Sequence, residues 1–498
     1  MDRRPSRRLA ERSTPLAPHA SSLLATSRRE TSLLMRLALP ICGAQLAQAG
    51  MGVTDVMMTG RQSATDLAAV SVGSSLWMPL MLFMTGTLMG LTPIVAQLLG
   101  GGRQARIRPN VHQALWVALA LGLIAALLLW FTVMPIFRLM GVPEGVAELS
   151  ASYLSAVAFG MPGVALFQAL RAFSDGMNHT RPSLTISLVG LGVNIPSNFV
   201  LIYGGAGLTG LFGDWLPAPI QQLPALGAWG CGIATALSMW TMGLAMCRYT
   251  RRSQTLGAIE LWRTPTPPSW HLIRQLLVVG LPIGVAIFVE VTLFTLIALF
   301  VASFGEVTVA AHQVALNFTS ILFMLPLSLG MALTVRVGNT LGTGNLRGAR
   351  FVAWNGIAVC LGIALFNNLI IWFGAEPVIA LYTHNVEVQR LALSLVVLAM
   401  LYQVSDSLQV TMAGALRGYK DTRIIMVITL ISYWLVGLAG GHWLGTRGLG
   451  QWVAPLGVHG YWIGLVAGLS VAALLLGWRL QAISRAVSEG RRHVAQSD

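Results

Sequence analysis

The sequence carries little charge for its length. Only 10% of its 498 residues are Asp, Glu, Lys or Arg, whereas 55% are hydrophobic and the mean hydropathy is +0.69. A soluble globular protein carries about 25% charged residues, so this chain cannot cover a soluble surface of its size. The composition therefore excludes soluble enzymes and disordered proteins, and it predicts an integral membrane protein.

Lysine and acidic residues are especially scarce. Lys420 is the only lysine among the 32 basic residues, and the 18 acids leave a formal net charge of +14. In a membrane protein such an excess indicates basic loops on the cytoplasmic side. The basic residues do not alternate with aromatic residues as they do on nucleic-acid-binding surfaces, so we expect no nucleic-acid partner.

Cysteines and catalytic motifs are also few. The four cysteines, Cys42, Cys231, Cys247 and Cys360, lie in or beside apolar segments without paired spacing, which predicts neither disulfides nor a zinc site. The chain has no nucleophile elbow, HExxH, DxD or phosphate-loop motif. We therefore expect no enzyme activity and no cofactor.

Twelve apolar stretches reach the roughly 20 residues that a membrane-spanning helix needs. They cover residues 33–58, 68–98, 110–134, 150–173, 182–203, 226–248, 272–303, 308–341, 350–374, 390–416, 424–444 and 456–480. Their long uninterrupted runs favour helices over the short alternating strands of a membrane β-barrel. The sequence thus predicts an all-α integral membrane protein with twelve transmembrane helices.

The basic residues are distributed unevenly over the connections between these stretches. With both termini in the cytoplasm, only four of the 32 fall in outer connections, namely Arg61, Arg138, Arg390 and Arg447. Because Lys and Arg are retained in cytoplasmic loops, this distribution favours cytoplasmic termini and an even number of spans.

The longest inner connection divides the chain into two halves of six spans. We predict a disordered basic cytoplasmic tail at 1–30, an N-terminal six-helix lobe at 31–248, a cytoplasmic linker at 249–271, a C-terminal six-helix lobe at 272–480 and a cytoplasmic tail at 481–498.

The two halves resemble each other at a constant offset. Pro40 recurs as Pro282, each within a Leu-Pro-Ile tripeptide, and Thr92 recurs as Thr334 in the same register. Two lobes of six spans have the same topology, so this internal parallel repeat predicts an axis along the membrane normal, as in transporters that rock around a central cavity. Since proline removes a backbone hydrogen bond, Pro40 and Pro282 are hinge candidates.

Three acids lie within the predicted spans, namely Asp55, Glu290 and Asp406. An acid at mid-membrane costs roughly 2.5–3.5 kcal/mol on insertion scales and usually marks an ion or substrate pathway. Asp55 lies near the outer end of its span, where the alternative is a side chain that reaches the interface. No Lys or Arg lies deep in a span beside Glu290 or Asp406, so we expect these two to hold a proton or bind a cation.

Aromatic residues accompany the two C-terminal acids. Tyr402 precedes Asp406 by four residues and shares its helix face. Phe294 follows Glu290 by four residues, where its ring either faces a cation or packs within the helix bundle.

Amides and a hydroxyl accompany the N-terminal acid. Asn194 and Asn198 lie four residues apart, and Thr235 belongs to the next span. Their oxygens either help Asp55 to bind a hard monovalent cation, or the amides join the helices by hydrogen bonds.

These residues resemble the multidrug and toxic compound extrusion family, specifically its NorM-type bacterial branch, over about residues 31–480. The resemblance rests on Pro40 with Asp55, Asn194 with Asn198, Glu290 with Phe294, AAHQV at 310–314, and Tyr402 with Asp406. It implies a twelve-helix, two-lobe antiporter that exports cationic, amphipathic drugs on a Na+ or H+ gradient. We expect a monomer in the bilayer of a bacterial inner membrane.

The resemblance also implies roles for individual residues. Glu290, Asp406 and Tyr402 would form the coupling-cation or proton site, with Na+ at the two acids if sodium is the coupling ion. Asp55, Asn194, Asn198 and Thr235 would form a second polar cluster in the N-terminal lobe, and Phe294 would line the substrate cavity.

The alternative function is that of a lipid-linked saccharide flippase of the same superfamily. Its anionic pyrophosphate cargo would favour basic residues in the cavity, whereas this chain has buried acids. A facilitator-superfamily carrier would usually have an Asp and Arg motif between spans 2 and 3, but that loop, GGGRQARIRPN, contains no acid.

Overall fold

The computed structural model describes residues 20–213, 217–448 and 454–490, which are helical and contain no strand. Twelve long segments follow one another along the chain: α1 (Ala20–Gln62), α2 (Ala64–Gly100), α3 (Gln104–Met140), α4 (Glu144–Gly176), α5 (Arg181–Phe212), α6 (Gly227–Arg252), α7 (Trp270–Ala302), α8 (Glu306–Gly342), α9 (Leu346–Tyr382), α10 (Val386–Ser394 and Val396–Gly418), α11 (Thr422–Thr446) and α12 (Val458–Ser488). Short helices at Ala218–Gln221 and Gln254–Gly257 lie in connections.

Ten of these segments are long and apolar enough to span a membrane, and α10, bent by 46° between its parts, makes eleven within the described ranges. The remaining one, α1, has 43 residues but is less apolar, because its predicted span also holds Gln45, Gln48 and Asp55. The predicted all-α fold of twelve helices in two lobes is confirmed.

α1 starts earlier than its predicted span. The chain is helical from Ala20, so the prediction of a disordered tail at 1–30 is wrong for residues 20–30, and residues 1–19 lie outside the described part. Glu30 forms a 2.6 Å ion pair with Arg336 of α8, which holds this extension against the C-terminal lobe.

The C-terminal end shows a similar extension. α12 continues to Ser488, so the first residues of the predicted tail 481–498 are helical, whereas residues 491–498 lie outside the described part.

Two hydrophobic cores lie side by side, one built on α2–α6 and the other on α8–α12. The first helix of each half contributes to both cores. Leu34 and Ile41 of α1 are buried in the C-terminal core, and Leu276 of α7 is buried in the N-terminal core. The starts of α1 and α7 therefore pack against the opposite lobe, and the division at residues 249–271 stays a prediction.

The lobes meet at the end of the molecule that carries the α6–α7 connection, residues 253–269, which we call the linker side. There the Gln97 side chain donates a 2.8 Å hydrogen bond to the Gly418 carbonyl. Gly90 of α2 approaches Gly280 of α7 so closely that a Cβ on Gly90 would lie 2.6 Å from the Gly280 Cα. The linker side is thus closed by direct backbone packing between the lobes.

Towards the opposite end, a cleft of about 490 Å³ lies between the lobes. α2 and α3 supply one wall, and α7 and α11 supply the other, with Phe288 and Trp434 among the lining residues. The lobes therefore touch at the linker side and part from each other beyond it.

Departures from regular helix occur away from the predicted hinges. Pro40 and Pro282 lie inside continuous α1 and α7. Gly204 instead interrupts α5 with φ 61° and ψ −152°, and α11 is π-helical over Ile431–Ala439. A hinge role for the two prolines stays a prediction.

Candidate ion and substrate sites

The N-terminal polar cluster gathers around Asp55, which is only 5% exposed. Asn198 and Asn194 of α5 donate to Asp55 Oδ1 over 2.6 and 3.2 Å, and the Thr235 hydroxyl of α6 donates to Oδ2 over 3.0 Å. The structure therefore brings together all four residues that the sequence placed in this cluster. Three donors surround a buried carboxylate, which is how such a charge is stabilised in an apolar interior.

The orientation of the two amides differs from that of cation ligands. Their NH2 groups point at Asp55, and the Asn194 oxygen accepts a 3.1 Å hydrogen bond from Asn198. Asn198 Oδ1 is the one amide oxygen of this pair without a partner. In this arrangement the cluster joins α1, α5 and α6, which is the second of the two interpretations that the sequence left open.

The C-terminal cluster gathers residues from three helices. Glu290 of α7 and Asp406 of α10 lie close enough to interact electrostatically. Tyr402, one helical turn from Asp406, and Tyr433 of α11 belong to the same group of interacting side chains. The structure thus brings together the three residues predicted for the coupling site and adds Tyr433 to them.

Asp406 differs from Asp55 in its hydrogen bonding. It is 1% exposed, and its Oδ1 has no hydrogen-bond partner among the described residues. A buried carboxylate oxygen without a hydrogen-bond donor costs free energy unless a cation or a proton binds to it. This oxygen therefore fits a site for a small cation or a proton.

One buried arginine lies just past the end of the predicted span 390–416, although none lies deep in a span beside the C-terminal acids. Arg417, near the linker-side end of α10, is 7% exposed and interacts electrostatically with Glu290. Arg171 ends the Ala-Leu-Arg tripeptide 169–171, which recurs as 415–417, and it is also buried and lies 3.6 Å from Asp175, which additionally accepts from Ser183. Arg417 follows Asp406 by eleven residues, and this separation along α10 hid its interaction with Glu290 from sequence reasoning.

Phe294 packs edge-on against Tyr402, with ring centroids 6.2 Å apart. Tyr402 in turn contacts the buried Trp462 ring at 5.8 Å, and the Trp462 indole donates to His312. Phe294 therefore belongs to an aromatic row beside the C-terminal acids and is absent from the residues lining the interlobe cleft. The contact matches the packing alternative, and a place for Phe294 in the substrate cavity stays a prediction.

Sequence reasoning missed Tyr433 because α11 is otherwise apolar. Its side chain is fully buried and its hydroxyl lacks a partner among the described residues. The available signal was the pair Ser432-Tyr433 in the middle of a hydrophobic span. A lone tyrosine in such a run is usually a packing residue, so spacing alone could not connect it with Asp406.

Known proteins resemble this chain over nearly its whole length. The family model MatE matches residues 40–200 and 282–443, two segments that repeat the register of Pro40 and Pro282. The chain is 44% identical over 459 residues to multidrug resistance protein PmpM of Pseudomonas aeruginosa, covering 92% of both chains. It is 42% identical over 470 residues to multidrug resistance protein NorM of Vibrio cholerae, covering 94% of this chain and 99% of that protein.

Solved structures agree on the fold. A crystal structure of MATE in a bent conformation superposes with a TM-score of 0.81 at 18% identity, covering 94% of this chain and 98% of that one. With the family model and two relatives above 40% identity, the resemblance seen in the sequence is confirmed. The chain belongs to the MatE family, in its NorM-type branch, and is a transporter rather than an enzyme.

Proposed function

We propose that the protein is a cation-coupled multidrug antiporter, which exports cationic amphipathic compounds by alternating access on a Na+ or H+ gradient. The observation that carries this proposal is the C-terminal cluster, where Oδ1 of Asp406 has no hydrogen-bond partner among the described residues and Asp406 interacts electrostatically with Glu290. The names of the relatives, multidrug resistance proteins, support the class of substrate.

The charges of the C-terminal cluster suit a single monovalent cation. With both carboxylates ionised, Glu290 and Asp406 exceed the positive charge of Arg417 by one. Na+ or a proton bound at Asp406 would balance the group, and a cationic drug could compete for the same negative charge. Competition of this kind couples the two fluxes, because the ion and the drug cannot both neutralise one site tightly.

The shape of the molecule supports alternating access between the lobes. The linker side is closed where Gly90 meets Gly280, while a cleft of about 490 Å³ lies between the lobes beyond it. Phe288 and Trp434 in this cleft offer ring faces that suit an amphipathic cation. The cleft thus provides a candidate drug-binding region next to the helices that carry Glu290.

The basic loops support a specific location. We place the protein as a monomer in a bacterial inner membrane, with both termini and residues 249–271 in the cytoplasm, since Arg is concentrated on that side. Labelling of a cysteine within 249–271 by an impermeant reagent in intact cells would contradict this orientation.

An anionic cargo, as expected for a saccharide-lipid flippase, fits the structure less well. Such a cargo needs free basic side chains in the cavity. Arg171 is engaged by Asp175, and Arg417 is buried within reach of Glu290. Neither arginine is among the residues that line the interlobe cleft.

Transport in proteoliposomes tests the proposal. A fluorescent organic cation should move against its concentration gradient when a Na+ gradient or an H+ gradient is imposed alone. The gradient that drives movement identifies the coupling ion. Absence of movement under both gradients, with protein that is folded and correctly inserted, would contradict the antiporter function.

A further inference from the structure

The linker between α6 and α7 is fixed against α3 by two neighbouring side chains. The Thr266 backbone N–H donates to His112 Nδ1 over 3.1 Å, so His112 Nε2 carries the proton and donates to the Leu261 carbonyl over 2.7 Å. Gln113 donates to the Pro267 carbonyl and accepts from the Ser269 N–H. The linker therefore forms a rigid wall rather than a loose loop.

Between this wall and the helices lies an apolar pocket of about 470 Å³, which we call the linker pocket. Leu119 of α3, Leu166 of α4 and three tryptophans, Trp116, Trp240 and Trp262, are among its lining residues. Tryptophan concentrates where the hydrocarbon of a membrane meets the headgroups. The pocket is thus suited to a hydrocarbon chain at the linker-side surface of the membrane.

A basic cleft of about 730 Å³ adjoins the pocket and shares Cys247 and Trp262 with it. Its other lining residues are Arg248, Arg251 and Arg252, in the last turns of α6, which we call the arginine shelf. All three arginines are exposed, and none forms an ion pair with a described acid.

Within the described part of the chain, Glu260 is the acid that shares a cleft with Arg251 of the shelf. Glu260 holds Arg263 through two 3.0 Å hydrogen bonds, so its charge is balanced within the linker. The shelf therefore keeps three uncompensated positive charges at the mouth of an apolar pocket. A cationic drug would be repelled there, whereas a phosphate would find several guanidinium donors.

We propose that this region is a binding site for an anionic phospholipid, with an acyl chain in the linker pocket and the phosphate on the arginine shelf. Basic pockets between helices at the membrane surface recognise acidic headgroups through the same combination of charge and burial. The acyl chain adds apolar contact that a soluble phosphate compound lacks, so the site selects a membrane lipid over a free anion.

Lipid-dependent thermal stability of the purified full-length protein in a neutral detergent tests this site, because a ligand stabilises the folded state to which it binds. We expect phosphatidylglycerol to stabilise the protein at concentrations at least 10-fold lower than phosphatidylcholine with the same acyl chains. Inorganic phosphate at millimolar concentration should leave the Tm unchanged. Equal effects of the two lipids would overturn the proposal, and an equal effect of phosphate would show an anion site without a lipid.

Charge-matched variants locate the effect. The triple variant Arg248→Gln, Arg251→Gln, Arg252→Gln should lose the 10-fold preference. The control triple variant Arg274→Gln, Arg347→Gln, Arg423→Gln removes the same charge from exposed positions outside the shelf. This control should keep the 10-fold preference for phosphatidylglycerol. A preference that survives in the shelf variant, or that disappears equally in both, would assign it to general surface charge and contradict the proposal.

Discussion

The two lobes share one fold but treat their buried carboxylates in opposite ways. Asp55 accepts hydrogen bonds from Asn194, Asn198 and Thr235, so its charge is compensated within the lobe. Oδ1 of Asp406 has no donor in the part of the chain that the structure describes. The difference teaches that two lobes of one fold can carry their buried acids on different helices, Asp55 on α1 and Asp406 on α10, and surround them with different numbers of hydrogen-bond donors.

The largest effect is expected from Asp406→Asn, which removes the uncompensated charge and preserves the side-chain shape. Gradient-driven efflux in proteoliposomes should fall at least 10-fold, and Glu290→Gln should behave similarly because it belongs to the same cluster. Glu306→Gln, an exposed acid at the start of α8, serves as the control and should transport normally. Wild-type efflux in either cluster variant would remove that residue from coupling.

The next largest effect is expected at the linker side, where the two lobes are in direct contact. A valine at position 90 would meet the Gly280 backbone at 2.6 Å, so Gly90→Val should separate the lobes there. Spin labels at Gln104 and Thr343, on opposite lobes, should show a longer distance. Gly192→Val is the matched control, since a Cβ there meets nothing within 4 Å. Unchanged distances in the folded Gly90→Val variant would contradict this role.

Asp55→Asn should affect stability more than ion binding. Hydrogen bonds to a charged partner contribute about 1.5–3 kcal/mol each, and an asparagine cannot accept from all three donors equally well. We expect a lower Tm while any Na+-dependent stabilisation seen in the wild type remains. That stabilisation should disappear in Asp406→Asn, because bound ion stabilises only the state that binds it. The reverse pattern would place the ion in the N-terminal lobe.

The smallest effect is expected from a matched pair of tyrosines. The Tyr153 hydroxyl accepts a 3.0 Å hydrogen bond from Trp77, whereas the Tyr433 hydroxyl has no partner in the described ranges. Tyr153→Phe should cost about 1 kcal/mol of stability, the usual value for one hydrogen bond, and leave the ion dependence of transport unchanged. Tyr433→Phe should leave the Tm nearly unchanged and alter the half-saturating ion concentration a few-fold. Identical behaviour of the two variants would place Tyr433 outside the ion site.

Hydropathy and spacing could predict the parts of this molecule that are local in the sequence. Each span is a long apolar run, and i, i+4 spacing is enough to place Tyr402 beside Asp406. The conserved register of Pro40 and Pro282 within the chain reveals the repeat without any structure. These features depend on neighbouring residues or on one helix, where the geometry is fixed by the helical period.

Contacts between helices could not be predicted in the same way. Arg417 influences Glu290 electrostatically from another helix, and Tyr433 does so for both acids from a π-helical stretch whose wider turn shifts side-chain directions. The amides at 194 and 198 have both donor and acceptor atoms, so only packing decides which of them faces Asp55. Gly204 likewise interrupts α5 where it packs closely against the backbone of residues 223–225, and this contact cannot be read from the sequence around Gly204.

The exchanged starts of α1 and α7 also have a consequence for biosynthesis. Leu34 and Ile41 belong to a core formed mainly by residues from 289 onward, while the N-terminal core includes Leu276 of α7. Chains are made from the N-terminus, and domains normally fold in that order. Here the core around the start of α1 is completed only after the second lobe has been synthesised. A chain that stopped after α6 would lack most of the residues that bury Leu34 and Ile41.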